Sequence, residues 1–193
     1  MIKNIFLYST ILFLVTSCVT TKKNFVNNGV IVDKVKLTFI QNSEIYKAKG
    51  NIIIHKDSDN INFKFFGPLG IELIKGSYEN SLNYFNCIEN KYYTDIETVI
   101  LNKYNFKINK KCFYFFLIGD IDSLFNEICK INLNNYSLNF FHSKDEFSIV
   151  NNFSSKYFKV LYKFRNNYPK RISIGIGDRN YCEYSLMLDF INN

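Results

Sequence analysis

Residues 61–65, Ile-Asn-Phe-Lys-Phe, carry an apolar side chain at every second position. The same period recurs in Ile172, Ile174 and Ile176, and in Tyr184, Leu186, Leu188 and Phe190, the last set interleaved with Glu183, Ser185 and Asp189. Successive side chains of a strand leave opposite faces, so this pattern builds antiparallel sheet with one dry face and one wet one. Further strand-like runs cover residues 45–56, 71–75, 82–85, 91–93, 136–141, 146–150 and 157–164. Turn residues separate them: Gly67-Pro68-Leu69-Gly70, Gly76, Glu89-Asn90 and the stretch 175–180. About nine or ten strands are too many for one flat sheet, which curls instead. The expected class is mainly β (α+β), a curved antiparallel sheet forming an incomplete barrel.

The period changes in the middle of the chain. Asp95 is placed to cap a helix with Ile96, Val99 and Ile100 on one face. Residues 110–118 are densely apolar and stop at Gly119, a residue suited to the position just past a helix. A further short helix is expected over 122–129. Two or three helices would then lid the sheet. A short helix is also expected over 30–40, where Val32, Val35 and Phe39 share one helical face, although Val30 and Val32 fit a strand as well.

Composition narrows the class further. Of the 193 residues, 47% are hydrophobic and 21% charged, the balance of a folded globule. With 8 Gly and 2 Pro, collagen-like and Pro-rich classes are excluded. The formal charge is +7. The lysines are scattered among apolar residues, which argues against a nucleic-acid patch and for a solvated basic surface that tolerates anionic lipid.

The first residues read as a targeting segment. Lys3 precedes an apolar run over 5–15, too short to cross a bilayer, which takes about 20 residues. Val15-Thr16-Ser17-Cys18 then resembles the lipobox of bacterial lipoproteins. The expected organisation is a signal peptide over 1–17, then a lipidated Cys18 with a polar tether and the short helix over 18–40, then a half-barrel domain over 41–193. Two or three acyl chains, at about 0.8 kcal/mol per buried methylene, make a stable anchor.

Cys87, Cys112, Cys129 and Cys182 form no CxxC pair, and His55 and His142 lie far from them, so no metal site is expected. Disulfides and four buried thiols both remain open. Asp120 and Asp122 read as helix caps and loop acids rather than an acid/base pair. Gly175-Ile176-Gly177 lacks a third glycine and a following helix, and reads as a hairpin. No nucleophile elbow, zinc helix or P-loop occurs. Neither enzyme activity nor a cofactor is expected.

The order of these segments resembles the LolB family of outer-membrane lipoproteins. The segments that carry the resemblance are Tyr46-Lys47-Ala48-Lys49-Gly50, residues 63–73 around Pro68-Leu69-Gly70, residues 115–120 ending in Gly119-Asp120, and the closing strands from Tyr157. The resemblance implies an unclosed barrel whose hydrophobic hollow accepts acyl chains of client lipoproteins from a LolA-like periplasmic carrier. The barrel would pass them to the outer-membrane bilayer, facing the periplasm, as a monomer and without nucleic acid. It further implies that Pro68, Leu69 and Gly70 form a projecting turn that touches the membrane. The inward candidates for the hollow are Phe63, Phe65, Leu73, Phe85, Phe115, Phe116, Leu117, Leu161, Ile174, Leu186 and Leu188. Two alternatives stay open: a related envelope lipoprotein for another hydrophobic ligand, and a structural lipoprotein with a filled core.

Overall fold

The computed structural model describes residues 30–41, 43–178 and 181–191. The expected signal peptide, Cys18 and the tether lie outside the described residues. Among the described residues eleven strands form one antiparallel sheet: β1 (Val30–Gln41), β2 (Glu44–His55), β3 (Asn60–Phe66), β4 (Glu72–Tyr78), β5 (Leu82–Asn86), β6 (Lys91–Tyr93), β7 (Leu138–Ser143), β8 (Glu146–Asn151), β9 (Lys156–Arg165), β10 (Tyr168–Asp178) and β11 (Tyr181–Phe190). Between β6 and β7 come α1 (Ile96–Tyr104), α2 (Lys110–Ile118) and α3 (Ile121–Ile131).

The spatial order is β6-β5-β4-β3-β2-β1-β11-β10-β9-β8-β7. The first half of the chain therefore meanders outward from β1 to one edge, and the second half meanders back from the other edge to pair β11 with β1. The two edges, β6 and β7, do not pair with each other, so the barrel stays open. The helices are the connection between those edges and must cross the concave face to make it. This is the expected class, with all three helices on the inner side.

One expectation fails at the start of the fold. Residues 30–41 are not a helix. Paired on both sides, from Val30↔His55 to Gln41↔Glu44 and from Val35↔Phe190 to Gln41↔Tyr184, they make the strand that joins the two halves. A helix here would leave the ladders of β2 and β11 without their neighbour, and that outweighs a local spacing that fits both periods. Gly76 does not end β4 either; the strand runs through it to Tyr78.

Strand parity turns one apolar row inward. Val35, Ile52, Ile54, Ile61, Phe65, Phe147, Val160, Ile172 and Leu188 are buried. Glycine opens this face where rings lie flat against the backbone. Gly50 pairs with Phe65, and a Cβ there would stand 2.0 Å from the Lys64 carbonyl oxygen and 2.7 Å from Phe65 Cδ1.

The helices are pinned at both ends. Helix α3 buries Ile121, Leu124 and Ile128, a single stripe at helical spacing. The side chain of Asp120 accepts from Ser123 N at 3.0 Å and caps it. Helix α2 spans the concave face. At its start the Lys110 ammonium donates to Ser58 O in the β2–β3 turn at 2.7 Å and to Asn60 Oδ1 at the start of β3 at 3.1 Å. At its end Gly119, at φ 76°, sits against Pro169 and Phe164 in the β9–β10 hairpin. The buried Tyr162 hydroxyl donates to Phe116 O at 3.1 Å, and burial raises its pKa.

Replacing Gly50 with Ala is expected to force Phe65 and the β3 backbone outward. The expected loss is about 2 kcal/mol, a fall of roughly 4–8 °C in Tm. An unchanged thermal transition would show that the sheet does not depend on this close approach.

Candidate functional site: an apolar hollow and its rim

The inward row does not fill the space under the helices. Two adjoining cavities remain, of about 290 Å³ and 230 Å³. The larger approaches the lower end of the range typical of small-molecule pockets, ~300–1,000 Å³. It lies beneath Phe113 and Phe116 of α2 and Leu124 and Ile128 of α3, with Phe147, Ile149, Ile174 and Leu186 as its floor. The smaller lies between Phe113 and Leu117 of α2 and the β1–β5 half of the sheet. Phe113 and Leu186 line both, so the two spaces meet across a phenylalanine ring and a leucine. Both linings are almost wholly hydrocarbon.

Seven of the eleven expected lining positions face a cavity and four do not, and parity explains most of the difference. Phe63, Phe65, Leu117, Leu186 and Leu188 line the smaller cavity. Phe116, Ile174 and again Leu186 line the larger. Leu73, Phe85, Phe115 and Leu161 line neither. Leu161 sits between the buried Val160 and Tyr162 and is 43% exposed on the convex face. Phe85 is one residue from Tyr84, which faces the smaller cavity. The Phe85 ring instead meets Tyr92 at 4.5 Å, under the Lys75 ammonium. Leu73 neighbours the inward Ile74 and covers the backbone of Gly67. Phe115 packs against Tyr114 on a flank of α2.

Several lining residues are absent from the expected set. Phe39 lies in the stretch over 30–40 expected as a helix and is a strand residue on the wall of the larger cavity. Tyr84, Phe147 and Phe158 stand on the same alternation as their neighbours, and that period was the signal that marks them. Phe113 sits in a helix apolar on every side, where no period singles it out.

The larger cavity reaches the surface at one end of the sheet. Tyr104, Lys156, Tyr157, Ile176 and Tyr184 stand there, at the last turn of α1 and the adjoining ends of β9, β10 and β11. The Lys103 ammonium lies 5.3 Å from the Tyr104 ring and 5.2 Å from the Tyr184 ring, so it spans the mouth from α1 to β11. Lys156 Nζ is 3.4 Å from Asp178 Oδ1. Behind the mouth, a set of amides fastens the helix ends. Asn132, buried, accepts from Lys107 N at 2.9 Å and donates to Lys107 O and Ile128 O at 3.0 Å. Asn151 donates to Tyr104 O at 3.2 Å.

The Pro68-Leu69-Gly70 turn projects from the same end. Leu69 is 98% exposed. It holds φ 60° and ψ 16°, a left-handed conformation that disfavours L side chains by roughly 1–2 kcal/mol. Gly67 N donates to Ile71 O at 2.8 Å and closes the turn. On the convex face below it, Glu72 pairs with Lys64 and Lys75, and the hydrogen bond from Lys64 lowers its pKa.

The other candidates are dispersed. Asp120 caps α3, while Asp122 stands 3.4 Å from His142 on the surface. All four cysteines among the described residues are free, and only Cys112 is buried, on the wall of the larger cavity.

No family model matches the sequence, and no curated protein matches it significantly. Among solved structures the chain is similar to a DUF1329 family protein from Desulfovibrio piger, at 6% identity and a TM-score of 0.41, covering 86% of this chain and 85% of that one. It is also similar to a "putative outer membrane lipoprotein-sorting protein domain" from Vibrio parahaemolyticus, at 7% identity and a TM-score of 0.41, covering 86% and 84%. At these scores the likeness carries no functional weight.

Burial pushes the Cys112 thiol up to about 11, so at neutral pH the cavity wall presents a thiol and not the reactive thiolate. With limiting iodoacetamide at neutral pH, the exposed Cys182 is expected to be alkylated first and Cys112 last, as read by peptide mass spectrometry. Equal rates would contradict the enclosed wall.

Proposed function

We propose that this chain is an outer-membrane lipoprotein, anchored through Cys18, that takes acyl chains of client lipoproteins into its hollow. In this reading a LolA-like periplasmic carrier hands over the client, and the chain passes it to the membrane. The observation that carries the reading is the pair of adjoining apolar cavities under α2, unfilled by the protein's own side chains. Cores of this size normally close-pack. A hydrocarbon ligand supplies the missing contacts, and each methylene moved from water into the hollow gains about 0.8 kcal/mol.

No covalent step is required. Transfer runs from a weaker apolar site to a stronger one and then to the bilayer, so differences of affinity drive it. The lining needs no specific hydrogen bonds, because the ligand that it meets is featureless. The exposed Leu69 suits the step of contact with the membrane, where one leucine contributes at most about 1.5–3 kcal/mol, enough for a transient touch.

The test is transfer of a lipoprotein bearing labelled acyl chains from its carrier to this chain. Leu186 lines both cavities, so Leu186→Trp is expected to lower acceptance by roughly tenfold, the equivalent of 1.4 kcal/mol. Leu186→Met, of similar volume, is expected to keep it. Leu69→Glu should accept clients normally and deliver them poorly. Undiminished acceptance by a folded Leu186→Trp variant would refute the cargo site.

A further inference from the structure

The two ends of the sheet are chemically unlike. At one end lie the β2–β3, β4–β5, β7–β8 and β9–β10 turns. Their residues are Lys56-Asp57-Ser58-Asp59, Glu79-Asn80-Ser81, Lys144-Asp145 and Asn166-Asn167. None is apolar, and α2 is fastened across this end through Lys110 and Gly119.

At the other end the described turns carry large apolar tips. Leu69 stands in the β3–β4 turn, Ile88 (73% exposed) in the β5–β6 turn and Phe153 (89% exposed) in the β8–β9 turn. The loop from α3 to β7 adds the exposed Leu133 and Tyr136. That loop belongs to the same end, since Asn152 N donates to Ser137 O. Basic side chains sit among these tips: Lys91 at the start of β6, Lys103 and Lys130 in the last turns of α1 and α3, and Lys156 at the start of β9. Glu89 is in the same set of turns, hydrogen-bonded from the Tyr93 hydroxyl at 2.6 Å. The mouth of the larger cavity lies at this end, between the last turn of α1 and the adjoining ends of β9, β10 and β11.

From this arrangement we infer that the whole apolar rim, and not the Leu69 turn alone, is a seat for an anionic lipid bilayer, with the cavity mouth pressed to the membrane. Several apolar tips on separate turns cannot pack on each other, but they can dip together into the head-group region. The interspersed lysines meet the negative surface of such a bilayer. Seated so, a hydrocarbon chain passes between bilayer and hollow without crossing water. The inference extends the cargo reading by naming the surface through which the hollow meets its second phase. It stands on the rim's chemistry and does not need the cargo to be a lipoprotein.

The chain contains no Trp, so single introduced tryptophans report cleanly. Phe153→Trp, Ile88→Trp and, as a control on the polar end, Tyr168→Trp are made in the full chain. Each is reconstituted into equimolar phosphatidylethanolamine–phosphatidylglycerol vesicles containing a brominated-chain lipid. The tryptophans at 153 and 88 are expected to shift to the blue and lose most of their emission, while that at 168 keeps its own. Replacing phosphatidylglycerol by phosphatidylcholine is expected to weaken the quenching. Equal quenching at 153, 88 and 168, or none at 153 and 88, would overturn the seat, including the case in which that rim instead meets a protein carrier. Equal quenching in the two lipid mixtures would overturn the part assigned to the lysines. Binding of a fluorescent fatty acid by the same variants in detergent-free solution reports the hollow separately, so failure of the seat and failure of the cargo site give different results.

Discussion

Everything in this molecule depends on a mismatch of area. The 11-stranded sheet turns one side of every strand inward, and among the described residues that face is covered by a connection of three short helices. Burial of the inward row drives the curvature, because a flat sheet would leave most of it wet. Curvature in turn sets the helices away from the floor. The space left over is apolar on all sides, so water has few partners there and gains little by entering. A hollow of this kind costs stability, since its lining forgoes contacts that a packed core would make. A ligand made of hydrocarbon restores them, which is why the same feature that weakens the empty fold would strengthen the loaded one.

The second organising fact is polarity along the strands. The described turns of one end carry no apolar residue, while large exposed apolar tips stand among polar residues in the turns of the other. Helix α2 crosses nearer the polar end, tied by Lys110 to the β2–β3 turn and by the Gly119 corner to the β9–β10 hairpin. The buried Asn132 and Asn151 hold the helix termini at the apolar end without filling it. The fastening of α2 and the mouth of the larger cavity are thus at different ends of the strands.

How much of this could be read from the residues varies with the element. The closing strands were legible, since Ile172, Ile174 and Ile176 and the set from Tyr184 to Phe190 repeat with a period that only a sheet satisfies. Helix α2 was legible from its apolar density and its terminal Gly119. Residues 30–41 were not, because Val32, Val35 and Phe39 match helix and strand alike, and only long-range pairing with β2 and β11 decides. Leu161 was misplaced for a related reason. Val160, Leu161 and Tyr162 are all apolar, so alternation is silent and register chooses. A register shift between Phe65 and Phe66 similarly hides which of Leu73 and Ile74 faces inward. The apolar rim was legible only as one turn, Pro68-Leu69-Gly70. That Phe153, Ile88 and Tyr136 join it is a consequence of topology, which brings turns distant in sequence to one end.

The most direct measurement is nuclear Overhauser contact between isotope-labelled palmitate and the protein. If the hollow exists to hold hydrocarbon, methylenes along the chain will show contacts to the methyls of Ile174, Leu186 and Leu188 and to the ring of Phe113. Palmitate that shows no contact to any of these inward side chains, while the protein stays folded, would contradict the account.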